Sequence, residues 1–227
     1  MTVLLDALGT LVRFEPPAPR LRMLLAERHG VEVDEDQARA GMRAEIAYYR
    51  REHHRAGDRA GLAALRRDCA AVLAGALPEP AREIPVDALA ATLVDAIRFD
   101  AYPEAPAVLD ELRARGHALA VVSNWDVSLH DVLVATGLAP RVDAVVTSAE
   151  LGVAKPDPRP FAVALEALGV RAGGALHVGD TVAEDVAGAF AAGVRPVLVA
   201  RDGAPEDPVP DGVAVVADLR GVLDAAR

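Results

Sequence analysis

The sequence predicts an α/β protein in which a parallel sheet carries an inserted helical segment. Three observations support this prediction. An apolar run at residues 2–6 stands alone before a long stretch of helical periodicity, which covers about residues 20–98. After Pro103, strand-like and helix-like patterns alternate towards the end of the chain. The first strand needs neighbours, and only the later alternating segment supplies them.

The first strand is predicted at residues 2–6, where the apolar run TVLL ends in Asp6. An uninterrupted apolar run is typical of a parallel strand that is buried on both faces. Gly9 permits a tight turn after the strand, so a phosphoryl group could approach the backbone amides of Gly9 and Thr10. Taken alone, the Asp-x-x-Gly pattern is more typical of a structural turn than of a functional site.

The helical stretch has apolar residues at helical spacing and requires no strand. Residues 1–14 and 100–227 are therefore predicted to form one discontinuous core, and residues 15–99 to form a helical cap inserted after the first strand. Because the insertion leaves the sheet at the carboxyl end of that strand, we expect it to lie beside a site there and to act as a lid.

The alternating segment predicts a parallel sheet with right-handed crossovers and a ligand site at the carboxyl ends of its strands. Helices are predicted at 104–115, 127–136, 158–168 and 183–192, and strands at 118–123, 142–147, 175–179, 195–199 and near 213–216.

Composition restricts the class of partner. The formal net charge of −10 argues against nucleic acid or an anionic membrane as the main partner, which leaves a small molecule. The N-terminus has no basic leader, and no run of about 18 apolar residues occurs. We therefore expect a cytoplasmic monomer or homodimer. The single cysteine, Cys69, excludes an internal disulfide and is expected in the core.

Two further predicted loops carry polar residues suited to binding an anion. Ser123 and Asn124 end an apolar strand, where either side chain can donate to an anionic oxygen, while Asp126 is expected to cap the next helix. Lys155 precedes a helix and is the only lysine among 24 basic residues. A compact ammonium fits between a carboxylate and a phosphate better than a forked guanidinium does, so Lys155 is a candidate functional residue.

The last motif, HVGDTVAED, closes an apolar strand and supplies two acids. Asp180, at the strand end, and Asp185, in the next helix, join Asp6 to give three hard oxygen ligands of the kind that Mg²⁺ prefers. Each acid alone is also typical of a helix start. His177 is expected to be a core histidine whose hydrogen bonds are satisfied.

Together, Asp6, Ser123, Lys155, Asp180 and Asp185 resemble the motifs of the haloacid dehalogenase-like (HAD) hydrolase superfamily. The segments SNWD, TSAELGVAKPDP and LHVGDTVAEDVAGA are similar to its rhythmically expressed gene-two-like branch. The resemblance covers essentially the whole chain. It implies a Rossmann-like sheet between helices, a small helical cap of the C1 type, and hydrolysis of a small phosphorylated metabolite.

The resemblance also implies roles for these residues. Asp6 would attack phosphorus to form an aspartyl-phosphate, and Ser123 and Lys155 would bind the phosphoryl oxygens. Asp6, Asp180, Asp185 and the backbone carbonyl of Leu8 would hold Mg²⁺, directly or through water. Metal and lysine would neutralise the charge that keeps a carboxylate from a phosphate dianion.

Leu8 departs from the family pattern, because most phosphatases of the superfamily have an acid/base Asp two residues after the nucleophile. General acid–base assistance typically contributes about 10² to 10⁴-fold, so a slow phosphatase or a substrate with a good leaving group is expected. Phosphonate-cleaving relatives also lack this Asp, but they use a lysine of the cap, and this cap has none.

Two alternatives stay open. Haloacid dehalogenases begin with a similar Asp-Ala-x-Gly-Thr and displace a halide, a leaving group that needs no proton. Against this alternative, Asp180 and Asp185 indicate a metal site, which dehalogenases do not need. A non-catalytic protein with a vestigial site is the other alternative, and the retained Lys155 argues against it. In the cap, the run from Tyr48 to Arg55 offers Arg51 and His54 as ligands for an anionic substrate, although most of this run is expected to be a solvated helix face.

Overall fold

A computed structural model of the chain describes residues 1–201, 203, 205 and 207–226. They form two compact units. One unit contains Met1–Arg13 and the described residues from Asp100 onward, and the other is Phe14–Phe99. Each unit has its own buried core and is described below by itself.

The unit Phe14–Phe99 is helical. Its two longest helices begin after Asp34 and Asp58, whose carboxylates accept hydrogen bonds from free backbone amides. The Asp34 carboxylate accepts from the Gln37 amide at 2.8 Å, and the Gln37 side chain accepts from the Asp34 amide at 2.9 Å. Leucines at helical spacing, such as Leu62, Leu65 and Leu73, are buried between the helices. The helices are α1 (Ala18–His29), α2 (Glu35–Glu52), α3 (Arg59–Ala76), α4 (Glu79–Arg82) and α5 (Val86–Ala96).

Glu45 is a buried acid in this apolar unit. It lies on α2 and its carboxyl is hydrogen-bonded to Cys69 of α3, which is itself buried as expected. Burial raises the pKa of Glu45 above its ordinary value of 4.5, and the hydrogen bond from Cys69 only partly opposes this. The folded chain thus holds the Glu45 proton more tightly than the unfolded chain does. Stability is lost as the pH rises from 4.5 through the raised pKa.

Glu45→Gln is therefore expected to stabilise the protein above that pH range and to leave it nearly unchanged at pH 4. A gain of about 1 kcal/mol would raise the melting temperature at pH 8 by roughly 2–4 °C in a chain of this size. Thermal unfolding at both pH values measures it, and Glu27→Gln, at an exposed position of α1, is the matched control. Equal melting temperatures of wild type and Glu45→Gln at pH 8 would contradict the prediction.

The other unit is built on a six-stranded sheet in which all pairings are parallel, in the order β5-β4-β1-β6-β7-β8. The central strands β1 and β6 are buried along their whole length, as their apolar sequences predict. A separate pair, β2 and β3, lies where the chain passes between the units. The strands are β1 (Thr2–Leu5), β2 (Val12–Phe14), β3 (Phe99–Ala101), β4 (Ala118–Ser123), β5 (Ala144–Thr147), β6 (Ala175–Gly179), β7 (Arg195–Val199) and β8 (Ala214–Val216).

Helices connect these strands. Phe161 and Leu165 of the helix Arg159–Ala167 pack against Leu4 and Val122 of the sheet in one apolar cluster. Every helix in the described part of the chain is too short or too polar to span a bilayer. The helices are α6 (Ala105–Ala114), α7 (Leu129–Ala135), α8 (Ser148–Leu151), α9 (Arg159–Ala167), α10 (Ala187–Ala191) and α11 (Val222–Ala225), with a π-helical turn at Val182–Val186.

Some predicted boundaries were wrong. The strand predicted at 142–147 begins only at Ala144. Just before it, the Leu119 amide donates to the side chain of Asp143 at 2.9 Å, instead of to a backbone carbonyl of the neighbouring strand. The helix predicted at 183–192 is divided into the π-helical turn and α10. Strands β2 and β3 were missed because three residues are too few to show an alternating pattern.

Candidate active site

Parallel pairing brings the carboxyl ends of the central strands to one edge of the sheet. Asp6 follows β1, Ser123 ends β4 beside it, and Asp180 follows β6 on its other side. The amide of Asp6 still donates to the Val178 carbonyl at 2.8 Å, which fixes the direction of the Asp6 side chain at the strand end. The sheet thus places together side chains that are far apart in the sequence.

Lys155 joins two of the acids. Its Nζ donates to Oδ1 of Asp6 at 2.6 Å and to Oδ1 of Asp185 at 2.5 Å, and all three side chains are buried. A buried ion pair needs such close, charge-assisted hydrogen bonds to offset the loss of solvation. The one lysine of the chain is therefore fully committed to the acidic cluster.

The electrostatics of the cluster follow from its burial. Burial by itself would lower the pKa of Lys155, but the charges of Asp6 and Asp185 outweigh it and raise this pKa above the ordinary 10.5. Burial raises the pKa of Asp6, with Lys155 opposing. For Asp185, burial acts upward, but Lys155 and then His177 bring the pKa well below its usual range. Asp185 is thus firmly ionised.

The acids also form a set that fits a divalent cation. One oxygen from each of Asp6, Asp180 and Asp185 lies within 4.8 Å of the others. Burial, followed by the charges of Asp6 and Asp185, raises the pKa of Asp180 to about 7. Like charges at such short range repel one another, and a hard cation that prefers carboxylate oxygens would relieve this repulsion. The donor set therefore fits Mg²⁺.

Two glycines make this crowding possible. Gly9 has a positive φ of 79°, and a Cβ at this position would lie 1.9 Å from Oδ2 of Asp180. A Cβ on Gly179 would lie 2.1 Å from Cγ of Asp185. A side chain at either position would displace an acid of the cluster, so both positions require glycine.

The loop after Asp6 contains Leu8 and Thr10. Leu8 lies two residues after Asp6 in the sequence and has no ionisable group. Its exposed fraction is 39%. Thr10 is fully buried, and its hydroxyl has no hydrogen-bond partner among the described residues. Neither side chain is an acid or base at neutral pH.

Asn124 has contacts that the sequence did not reveal. Its Oδ1 accepts from the Lys155 amide at 2.7 Å, and its Nδ2 donates to the Lys155 carbonyl at 3.0 Å and to Oε2 of Glu184 at 2.8 Å. The side-chain amide thus holds the backbone on both sides of Lys155. Because both Nδ2 hydrogens are used in these contacts, Asn124 positions Lys155 and has no free donor for the predicted contact with substrate. The prediction that Asp126 caps the next helix was wrong: the N-cap of α7 is Ser128, without a side-chain hydrogen bond, and Asp126 accepts from the Ser128 amide at 2.6 Å in the turn before it.

Arg201 supports the loop after Asp6 and was missed by the sequence analysis. Its guanidinium donates to the carbonyls of Gly9 at 2.9 Å and Thr10 at 2.7 Å, and it pairs with Glu104 at 2.7 Å. It also lies 3.3 Å from the centre of the Tyr102 ring. In the sequence, Arg201 is one of many arginines in a surface-like segment, so no local signal marks it.

His177 was predicted to be a satisfied core histidine. The burial is confirmed, but the hydrogen bonding is wrong: Nε2 lies 2.9 Å from Oδ1 of Asp185, and Nδ1 has no partner in the described residues. The prediction failed because it considered only the position of His177 in its strand, one pleat away from the site. The imidazole extends far enough to contact Asp185 of the site.

The two predicted cap ligands lie in the helical unit. Arg51, near the end of α2, pairs with Glu52 at 2.8 Å and stands 5.2 Å from the centre of the Tyr48 ring. His54 lies in the turn after α2, where its Nδ1 is 3.0 Å from the Arg51 carbonyl. Their contact with a substrate stays a prediction.

The fold and the cluster at the strand ends define a hydrolase class. The family model described as haloacid dehalogenase-like hydrolase matches residues 1–193, and the chain belongs to this family.

Individual relatives are similar over part of the chain. A phosphoserine phosphatase from Thermus thermophilus is 45% identical over 151 residues, which are 66% of this chain and 59% of the relative. Haloacid dehalogenase-like hydrolase domain-containing protein 3 from Mus musculus is 45% identical over 102 residues, 43% of this chain and 41% of the relative. The chain therefore spans about half the length of these curated relatives.

A solved structure of a 2-haloacid dehalogenase from Pseudomonas syringae is similar along almost the entire chain. It covers 99% of this chain and 97% of its own, with a TM-score of 0.66 and 26% identity. The predicted class, a Rossmann-like parallel sheet between helices with a helical insertion, is confirmed by this similarity and by the sheet itself.

Proposed function

We propose that this protein hydrolyses phosphate monoesters of a small metabolite in a Mg²⁺-dependent reaction with Asp6 as the nucleophile. The observation that carries the proposal is the cluster at the strand ends, in which the buried Lys155, Asp6 and Asp185 meet the more exposed carboxylate of Asp180. Phosphatase names among the relatives support the same reaction. The proposal also assigns 1–14 and 100–227 as the catalytic core and 15–99 as the cap.

In this reaction a carboxylate oxygen of Asp6 attacks phosphorus, the ester P–O bond breaks, and the alcohol leaves with a proton from solvent. Water then attacks the aspartyl-phosphate and releases inorganic phosphate, which restores Asp6. Lys155 and Ser123 hold phosphoryl oxygens, and the amide of Thr10 orients them. The Gly9 amide, which was also predicted to do so, instead donates to the Val12 carbonyl at 2.9 Å.

Asp6, Asp180, Asp185 and the Leu8 carbonyl would hold Mg²⁺, directly or through water. When bound, Mg²⁺ supplies positive charge that allows two anions, the carboxylate and the phosphate, to approach each other. Arg51 and His54 of the proposed cap would contribute cationic and hydrogen-bonding groups to the substrate's remaining atoms.

A second candidate function is displacement of halide from a 2-haloacid through an ester on Asp6. The similarity to a 2-haloacid dehalogenase structure and the Leu8 side chain favour it, since halide needs no proton donor. The three-carboxylate cluster favours the phosphatase, because displacement of halide from carbon gains nothing from a divalent cation at Asp180.

The deciding experiment assays one purified sample for both reactions, with MgCl₂ or with EDTA. We expect release of nitrophenol from an aryl phosphate with Mg²⁺, its loss with EDTA, and no halide release from 2-haloacids. Halide release in EDTA without phosphatase activity would favour the second candidate. Absence of both reactions would favour a protein with a vestigial site.

A further inference from the structure

His177 occupies an unusual place for a polar side chain. It lies in the middle of the central strand β6, paired in register with Leu4 of β1 and Pro196 of β7, and it is fully buried. The Phe161 ring meets the imidazole edge-on, with ring centroids 4.8 Å apart and an interplanar angle of 86°. These neighbours are apolar, and an aliphatic residue would suit the strand better.

Among the described residues, the imidazole has one hydrogen-bond partner. Its Nε2 lies 2.9 Å from Oδ1 of Asp185, and Nδ1 has no partner among the described residues. Because an ionised carboxylate only accepts, Nε2 is the donor in this pair. An unpaired buried polar group destabilises a fold, so fold stability does not explain the histidine at this position.

The carboxylate that His177 contacts is held by four donors. Oδ1 of Asp185 accepts from Lys155 Nζ at 2.5 Å and from His177, and Oδ2 accepts from the amide of Thr181 at 3.0 Å and from its hydroxyl at 2.7 Å. Lys155 is shared with Asp6. His177 therefore provides a donor to Oδ1 that is held by the sheet and is independent of the ammonium.

We propose that His177 is a positioning residue whose Nε2–H holds the Asp185 carboxylate in the orientation that fixes Lys155 and faces the divalent cation. The part concerning the cation rests on the proposed function, whereas the part concerning Lys155 does not. The imidazole acts from beneath the site, through Asp185, and touches no substrate.

The first test compares His177→Leu with His177→Gln. Leucine removes the donor, whereas the Nε2 of glutamine reaches about the same position as the Nε2 of histidine. Titration calorimetry with MgCl₂ should show Mg²⁺ binding about 10- to 100-fold weaker in His177→Leu, the usual effect of removing a hydrogen bond to a metal-binding carboxylate. His177→Gln should restore the affinity to within about three-fold of wild type.

The second test uses the chain's single lysine as a probe and needs neither metal nor substrate. Lysine labelled with ¹⁵N at Nζ gives one ammonium resonance, and burial between two carboxylates should slow its hydrogen exchange in wild type. We expect this resonance to broaden or disappear in His177→Leu and to persist in His177→Gln.

The outcomes separate the two proposals. An unchanged lysine resonance in His177→Leu, or a His177→Gln variant that behaves like His177→Leu, overturns the positioning role. A lysine resonance that depends on His177 in a protein that binds no Mg²⁺ supports the link to Lys155 and overturns the metal in the proposed function. Circular dichroism of both variants shows whether a lost signal reflects unfolding, and His177→Gln then decides the question.

Discussion

Replacing Asp6 with asparagine is expected to lower the rate of phosphate-ester hydrolysis by about 10⁴-fold or more, since removal of a covalent nucleophile costs up to about 10⁶ in other hydrolases. Asparagine has nearly the same shape, so it fits the buried position at the end of β1. Its amide oxygen does not attack phosphorus, and it carries no charge for the Lys155 ammonium. The change therefore removes chemistry rather than volume.

The measurement is the initial rate with an aryl phosphate and Mg²⁺, together with acid-quenched labelling from a ³²P-labelled substrate. Wild type should retain protein-bound phosphate, and Asp6→Asn should not. Asp110→Asn is the matched control, because Asp110 is an exposed aspartate of α6. An Asp6→Asn rate within ten-fold of wild type would remove Asp6 from the mechanism.

Leu8→Asp is expected to raise hydrolysis of ordinary alkyl phosphates by about 10²-fold, at the lower end of the range for general acid–base assistance. The new carboxyl would lie two residues after the nucleophile, where most phosphatases of the superfamily have it. Leu8 is 39% exposed, so an aspartate there does not have to be buried unpaired. The gain should be small for an aryl phosphate, whose leaving group needs little protonation.

Leu8→Asn is the control for this change, because it has the shape of aspartate without an acidic proton. The comparison of kcat/KM for an alkyl and an aryl phosphate in the three proteins measures the effect. If Leu8→Asp and Leu8→Asn behave alike on the alkyl substrate, the missing acid is not what limits turnover. A loss of Mg²⁺ affinity in Leu8→Asp would identify an unintended effect on the neighbouring acids.

Much of the sheet could be predicted because parallel strands have a strong local signature. The runs at 118–123, 175–179 and 195–199 were predicted with the bounds that the structure has, since each is an apolar segment between helical patterns. The short ribbon of β2 and β3 and the π-helical turn lack such a pattern. These elements depend on contacts with other parts of the chain, which the sequence of a single segment does not encode.

The candidate site divides in the same way. Asp6, Ser123 and Asp180 could be selected because each stands at the end of a recognisable strand, and Lys155 because it is the only lysine. The contacts of Asn124 with the Lys155 backbone, of Arg201 with the Gly9 and Thr10 carbonyls, and of His177 with Asp185 have no sequence signal.

By itself, the sequence determined the strands of the six-stranded sheet to within two residues, the positions of Asp6 and Asp180 at strand ends and the absence of an acidic or basic side chain at position 8. Local propensity and apolar periodicity decide these features within a few residues. Only the tertiary structure decided which donors surround each carboxylate, because Lys155 and Asp6 are 149 residues apart and meet through the pairing of β1 with its neighbours. His177 changed from a core residue to a partner of Asp185 for the same reason: burial is a local property of its strand, whereas the contact depends on how the next turn packs over it.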